Sequence, residues 1–249
     1  MTPDDLSRCR LYGILDFAYV DIRNAKNVSE QMIDGGVDLI QLRAKAQFSA
    51  QIAQLAGELH RATEEHGIPL IINDHPEIAR DVAAEGVHVG QDDVSIAKAR
   101  EIAGANCVVG KSTHSVDQAI RAFYEGADYI GFGPNFATPT KPDYSPIGLD
   151  EIRKVHDAVR IPIFCIGGIR LENLPEVIDA GARRVVIVSG LLQAKDIASY
   201  ARSAKKLLRG PARRDDGGRP VRVAVGTHPG PTPARHTGEW VRMPRQHLS

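Results

Sequence analysis

The chain has 249 residues, 43% of them hydrophobic and 25% charged, and its 31 Lys+Arg exactly balance 31 Asp+Glu. That balance gives no electrostatic reason to expect nucleic acid or an anionic membrane as partner, and no apolar run approaches the roughly 18 residues of a membrane span. Cys9, Cys107 and Cys165 have no framework spacing, and the opening MTPDDLSRCR lacks a signal-peptide core. Both features lead us to expect a reducing cytoplasm and not a disulfide scaffold.

Eight short runs rich in Val and Ile follow in order: residues 11–15, 37–42, 68–72, 87–89, 107–110, 129–132, 161–166 and 185–188. Runs this short and this apolar read as strands buried on both faces. Helical periods lie between them: Ile52, Leu55, Ala56 and Leu59 recur at 3–4 residue spacing, as do Val116, Ala119, Ile120 and Phe123. Pro76 suits a first helical turn. Gly36, Gly67, Gly86, Gly126 and Gly181 each precede a strand, where a left-handed helix terminus carries no Cβ penalty. Repeated βα units imply parallel strands with right-handed crossovers, and eight in about 200 residues favour a single (β/α)8 TIM barrel of the α/β class. A doubly wound open sheet is the alternative. In both, function sits beyond the C-terminal ends of the strands.

The barrel domain is expected to cover 1–209. From 210 to 249 the chain is rich in Pro, Gly and Arg without a sustained period, and reads as a disordered tail in which VRVAV could add one short strand and Trp240 is an incidental aromatic.

Polar residues collect at the strand ends. The second run leads into Gln41, Arg43 and Lys45, which supply an amide, a bidentate anion grip and a mobile point charge. The third ends in Asn73-Asp74 and the fourth leads to Gln91-Asp92-Asp93. Two carboxylates from neighbouring strands suit Mg²⁺, which takes one or two protein carboxylates and fills its octahedron with water and phosphate oxygens. A helix N-cap is the plainer role for Asp92 or Asp93. The sixth run enters a long loop with Thr138, Thr140 and Lys141, and the last two runs open into Gly167-Gly168 and Val188-Ser189-Gly190, where barrels commonly hold phosphate. The rim thus carries two anion sites, one of glycine and hydroxyls, the other of cations and carboxylates. Scattered on different elements, His75 reads as a loop residue, His88 as structural and His114 as rim-facing, which disfavours zinc.

The stretches GGVDLIQLRAK, LIINDHPEIA, EGVHVGQDD, VGKSTHS, GADYIGFGPNFATPTKPD, PIFCIGGI and VVIVSG together resemble the thiamine-phosphate synthase family, in its order and over nearly the whole barrel. The resemblance implies a transferase that joins hydroxymethylpyrimidine pyrophosphate to a thiazole phosphate, or its carboxylated form, through a dissociative carbocation mechanism. It implies that Gln41, Arg43, Lys45, Asn73, Ser112 and Lys141 contact the pyrimidine pyrophosphate, with Arg43, Lys45, Ser112 and Lys141 catalytic. It implies that Asp74 and Asp93 hold Mg²⁺, and that Thr138, Thr140, Gly168, Val188 and Ser189 receive the thiazole phosphate. Departures are Ala44, where the family often has an acidic residue, Lys111, where an aliphatic one is frequent, and Gly190, where Ala is common. A thiazole tautomerase using His114, or a non-catalytic barrel binding thiamine precursors, are the rival readings. The sequence leaves a homo-oligomer open.

Overall fold

The computed structural model describes residues 1–45, 47–138, 140 and 145–209. The stretch 210–249, with VRVAV and Trp240, lies outside the described residues, as does Lys141.

Strands β1 (Leu11–Asp16), β2 (Leu39–Arg43), β3 (Leu70–Asn73), β4 (Gly86–Val89), β5 (Val108–Thr113), β6 (Tyr129–Phe132), β7 (Ile163–Cys165) and β8 (Val185–Ile187) pair in sequence order and close into a barrel. Every pairing is parallel, including the closing one between β1 and β8 (Leu11 opposite Val185). Closure removes the open-sheet alternative.

Strand parity sorts the side chains. On β2, Leu39 belongs to the cluster inside the barrel, while Ile40 and Leu42 belong to the layer between sheet and helices. The period of two therefore carries Gln41 and Arg43 up the interior toward the rim. The same rule puts Tyr12, Ile14 and Asp16 of β1 inside, and Leu11 and Leu15 outside.

The outer layer is built from α2 (Ala25–Asp34), α3 (Ser49–Glu64), α4 (Pro76–Asp81), α5 (Ile96–Ala103), α6 (Val116–Tyr124), α7 (Glu151–Ala158), α8 (Leu174–Asp179) and a C-terminal helix (Ile197–Arg209). In α3 the periodic residues Ile52, Ala56 and Leu59 are buried, and Leu55 packs against the same core from a partly buried position. Pro76 opens α4 as its pattern requires. A short helix, Pro3–Arg8, stands before β1. It is held by a reciprocal cap in which Thr2 and Asp5 each accept from the other's backbone N–H, and its Leu6 is fully buried in the barrel-interior cluster.

One glycine departs from expectation. Gly36, Gly67, Gly126 and Gly181 have positive φ, but Gly86 does not, and Ala83 (φ 57°) takes the left-handed position in that connection. Gly86 is already in β4, where a Cβ would lie 2.5 Å from Ile71 and 2.6 Å from Val108. Space, not backbone freedom, requires it.

Candidate active site

At the C-terminal ends of the strands one cavity is lined by Gln41, Arg43, Asn73, Ser112, Thr138, Thr140, Gly168, Val188 and Ser189 among others. The sequence reading had assigned all of these to substrate. Lys45, Asp74 and Asp93 are not among its lining residues; they form a linked group, with Lys45 Nζ 3.0 Å from Asp74 Oδ2 and Asp74 hydrogen-bonded to Asp93. Lys141 has no described position.

Arg43 is oriented from behind. Its Nη1 donates to Asp16 Oδ2 at 2.6 Å, and the two side chains are 15% and 2% exposed. Asp16 also accepts the Ala18 backbone N–H at 3.0 Å. This buried ion pair, braced by the Ala18 amide, orients the guanidinium before any ligand arrives.

Beneath the rim a chain of polar contacts crosses the barrel interior. Gln41 Nε2 donates to the Tyr12 hydroxyl at 2.5 Å, which meets the Tyr129 hydroxyl at 3.2 Å. Tyr129 in turn reaches His88 Nδ1 at 3.1 Å, and His88 Nε2 reaches Ser112 Oγ at 3.0 Å. Burial raises both phenols above their ordinary range, so both keep their protons at neutral pH. The two phenols thus link Gln41 to one ring nitrogen of His88, whose other nitrogen meets Ser112. The imidazole holds the Ser112 hydroxyl at the cavity wall. His88 is buried and bonded at both ring nitrogens, as the structural role expects, and it also lines the cavity. Parity was the available signal, since Gly86 and His88 alternate with the outward Val87 and Val89.

The carboxylates meet under strain. Asp74 has φ 65°, a left-handed conformation for a non-glycine residue at a strand end. Burial and the hydrogen bond shared with Asp93 push its carboxyl up, against the pull of Lys45. Burial also works upward on Asp93, but the Asp74 hydrogen bond, the Gly90 amide and the Lys45 and Lys111 charges hold it below its ordinary value. Neither Asp92 nor Asp93 caps a helix: Ser95 caps α5 by accepting from Lys98 N, and Asp93 Oδ2 instead accepts from Gly90 N at 2.6 Å.

Among the described residues no three or more His, Cys, Asp or Glu side chains cluster as a metal site. Two carboxylates in one group are hard oxygen donors and fit Mg²⁺, which needs only one or two protein carboxylates. His75 pairs with Glu77, and His114 Nδ1 lies 2.5 Å from the Gly133 carbonyl oxygen.

On the opposite side of the cavity Gly167 (φ 97°) and Gly168 (φ 65°) turn β7 back on itself. A Cβ on Gly168 would lie 2.7 Å from Phe136 Cβ, so only glycine lets the two loops approach. Ser189–Leu192 forms one helical turn directly after β8. Thr140 is tied down by Tyr19, whose hydroxyl is 2.8 Å from Thr140 Oγ1.

A family model described as Thiamine monophosphate synthase matches residues 11–191. A thiamine-phosphate synthase of Chloroflexus aurantiacus is 42% identical over 200 residues, covering 80% of this chain and 92% of its own. One from Shouchella clausii is 40% identical over 195 residues, covering 78% and 93%. Among solved structures, a thiamine phosphate pyrophosphorylase from Pyrococcus furiosus superposes with TM-score 0.75 at 30% identity, over 83% of this chain and 97% of that one. A 3-hexulose-6-phosphate synthase, at 20% identity and TM-score 0.63, shares the fold. The chain belongs to the thiamine monophosphate synthase family.

Proposed function

We propose that this rim carries out the family's condensation, joining hydroxymethylpyrimidine pyrophosphate to thiazole phosphate to give thiamine phosphate and pyrophosphate. The chain is accordingly a transferase of thiamine biosynthesis. The observation that carries the assignment of residues is one cavity that joins a pre-oriented Arg43 to a glycine-and-hydroxyl pocket, with Asp74 and its Lys45 partner directly following the lining residue Asn73.

Arg43, Lys45 and Lys141 receive the pyrophosphate charge; Gln41, Asn73 and Ser112 orient the pyrimidine. Thr138, Thr140, Gly168, Val188 and Ser189 hold the thiazole phosphate. Asp74 and Asp93 would hold Mg²⁺, which when bound neutralises leaving-group charge. The C–O bond to the leaving pyrophosphate breaks with its electron pair, leaving a pyrimidine methylene cation. The thiazole nitrogen then forms the new C–N bond. Such a reaction needs no strong base. It needs charge stabilisation at the departing oxygen and two rings held face to face in a dry site.

The catalytic unit of this reading is 1–209, working on small molecules and without nucleic acid or membrane. A cytoplasmic setting is supported by three free, buried cysteines, with burial pushing Cys165 up to about 12, and by the lack of any described helix long and apolar enough to cross a membrane. Purified protein given both substrates and Mg²⁺ should release pyrophosphate; EDTA or Asp93→Asn should abolish release. No release at any Mg²⁺ concentration, with thiazole phosphate still bound, would sink the coupling reading.

A further inference from the structure

Lys111 is the one charged residue of β5, and it lies on the outer face of that strand. Val109, two positions earlier on the same side, is fully buried in the layer between sheet and helices, and Lys111 is only 8% exposed. Its ammonium donates to the Gly90 carbonyl oxygen at 2.6 Å. The amide of that same glycine donates to Asp93 Oδ2, also at 2.6 Å. Asp93 is packed onto Gly90 so closely that a Cβ there would lie 2.8 Å from Oδ2. One glycine therefore joins a buried cation to the rim carboxylate, and its covalent dimensions keep the two charges within about 9 Å of each other. No ion pair among the described residues involves Lys111, so its charge is not spent on another carboxylate.

We propose that Lys111 is a resident counter-ion of the Asp74–Asp93 rim that keeps the free protein's affinity for a divalent cation low. The proposal rests on the reading of Asp74 and Asp93 as the cation's ligands. Lys45, in contact with Asp74, and Lys111, joined to Asp93 through Gly90, already offset the charge of the two carboxylates, so the substrate-free rim has little field to attract a second positive species. Arrival of a pyrophosphate group reverses the sign of the rim, and the cation is then taken up with that anion instead of ahead of it. Lys111 is a positioning residue, since it reaches the cation only through Gly90 and Asp93.

The probe is Mn²⁺ alone, titrated into the full-length protein without substrate and followed by electron paramagnetic resonance. Lys111→Gln keeps a donor for Gly90 while removing the charge, Lys111→Met removes both, and Lys111→Arg keeps the charge. Folding of each is checked by circular dichroism. A lost unit charge at this range tightens Mn²⁺ binding roughly tenfold. Gln and Met should show that gain, and Arg should stay within about twofold of the parent. Damage to packing would weaken binding, so a gain is not the mark of a structural role. Unchanged or weaker binding in a folded Lys111→Gln protein overturns the proposal. Adding Asp93→Asn to each background distinguishes the two levels. If that change lowers Mn²⁺ affinity while Lys111→Gln has no effect, only the Lys111 proposal fails. If Asp93→Asn has no effect in any background, the carboxylate reading fails and takes the Lys111 proposal with it.

Discussion

The two mouths of the barrel are built on opposite rules. At the base, Asp38 anchors a set of polar groups that pair within the chain. Asp38 accepts from the Arg10 and Leu11 backbone amides at 2.8 and 2.9 Å and pairs with Lys205, while Leu6 and Cys9 close the interior beneath Leu39 and Val108. At the rim, charges are gathered more densely than folding requires: Asp16 against Arg43, Asp74 against Asp93, and a left-handed Asp74. The base spends its residues on stability. The rim carries strain and like-charge crowding, which are tolerated because the closed sheet below holds the strand ends in place.

The sharpest way to break this contrast is Arg43→Met. The proposed grip on the departing pyrophosphate is lost, and kcat/KM should fall about a thousandfold, roughly 4 kcal/mol of transition-state stabilisation. Asp16, 2% exposed, would also be left buried and unpaired, costing about 3 kcal/mol of folding stability. The double variant Asp16→Asn/Arg43→Met should recover most of that stability in urea unfolding and none of the activity. If the double variant recovers activity as well, Arg43 acts through folding and not on substrate.

Leu6→Ala is the matching change at the base. A fully buried side chain is cut back in the interior cluster, and stability should fall by about 3 kcal/mol. The rim lies at the far end of the strands, so kcat of the protein that remains folded should be unaltered. A large drop in kcat at full folding would show that the plug and the rim are coupled.

Much of this contrast can be read from the residues. Period two along Leu39, Gln41 and Arg43 already orders them from base to rim, and the eight short runs locate every strand. The positions of Asp74 and Asp93 beyond adjacent strands were likewise visible. Pairings between distant strands were not. Asp16 behind Arg43 depends on the register that sets Asp16 opposite Arg43, and the Tyr12–Tyr129–His88–Ser112 chain links residues up to 117 apart in sequence. Tyr12 and Tyr129 each look like ordinary strand aromatics. Only closure of the barrel brings their hydroxyls together, and only Gly110 leaves room for the Tyr129 ring, which a Cβ there would meet at 2.1 Å. Helix caps were misread for a similar reason: Asp93 has the chemistry of a cap, but Ser95 is nearer the turn of α5.

The smallest effect tests whether the base is as fully satisfied as the contrast demands. His156 on α7 has a buried Nε2 without a hydrogen-bond partner, and the same holds for Arg184 Nε. Burial, and then the charges of Arg183 and Arg184, push the His156 imidazole down to about 4. Its folded value thus lies below the ordinary 6.5, and between the two the unfolded chain binds the extra proton. Stability is unaffected by this group above pH 6.5, declines as pH falls from there, and stops declining below about pH 4. Because the ring is only partly buried, screening by solvent reduces the effect to about 1–2 kcal/mol. Urea unfolding of His156→Gln across this window should show a shallower pH slope than the parent. An identical slope would mean that water already reaches the imidazole, and that the base is satisfied there by solvent and not by the chain.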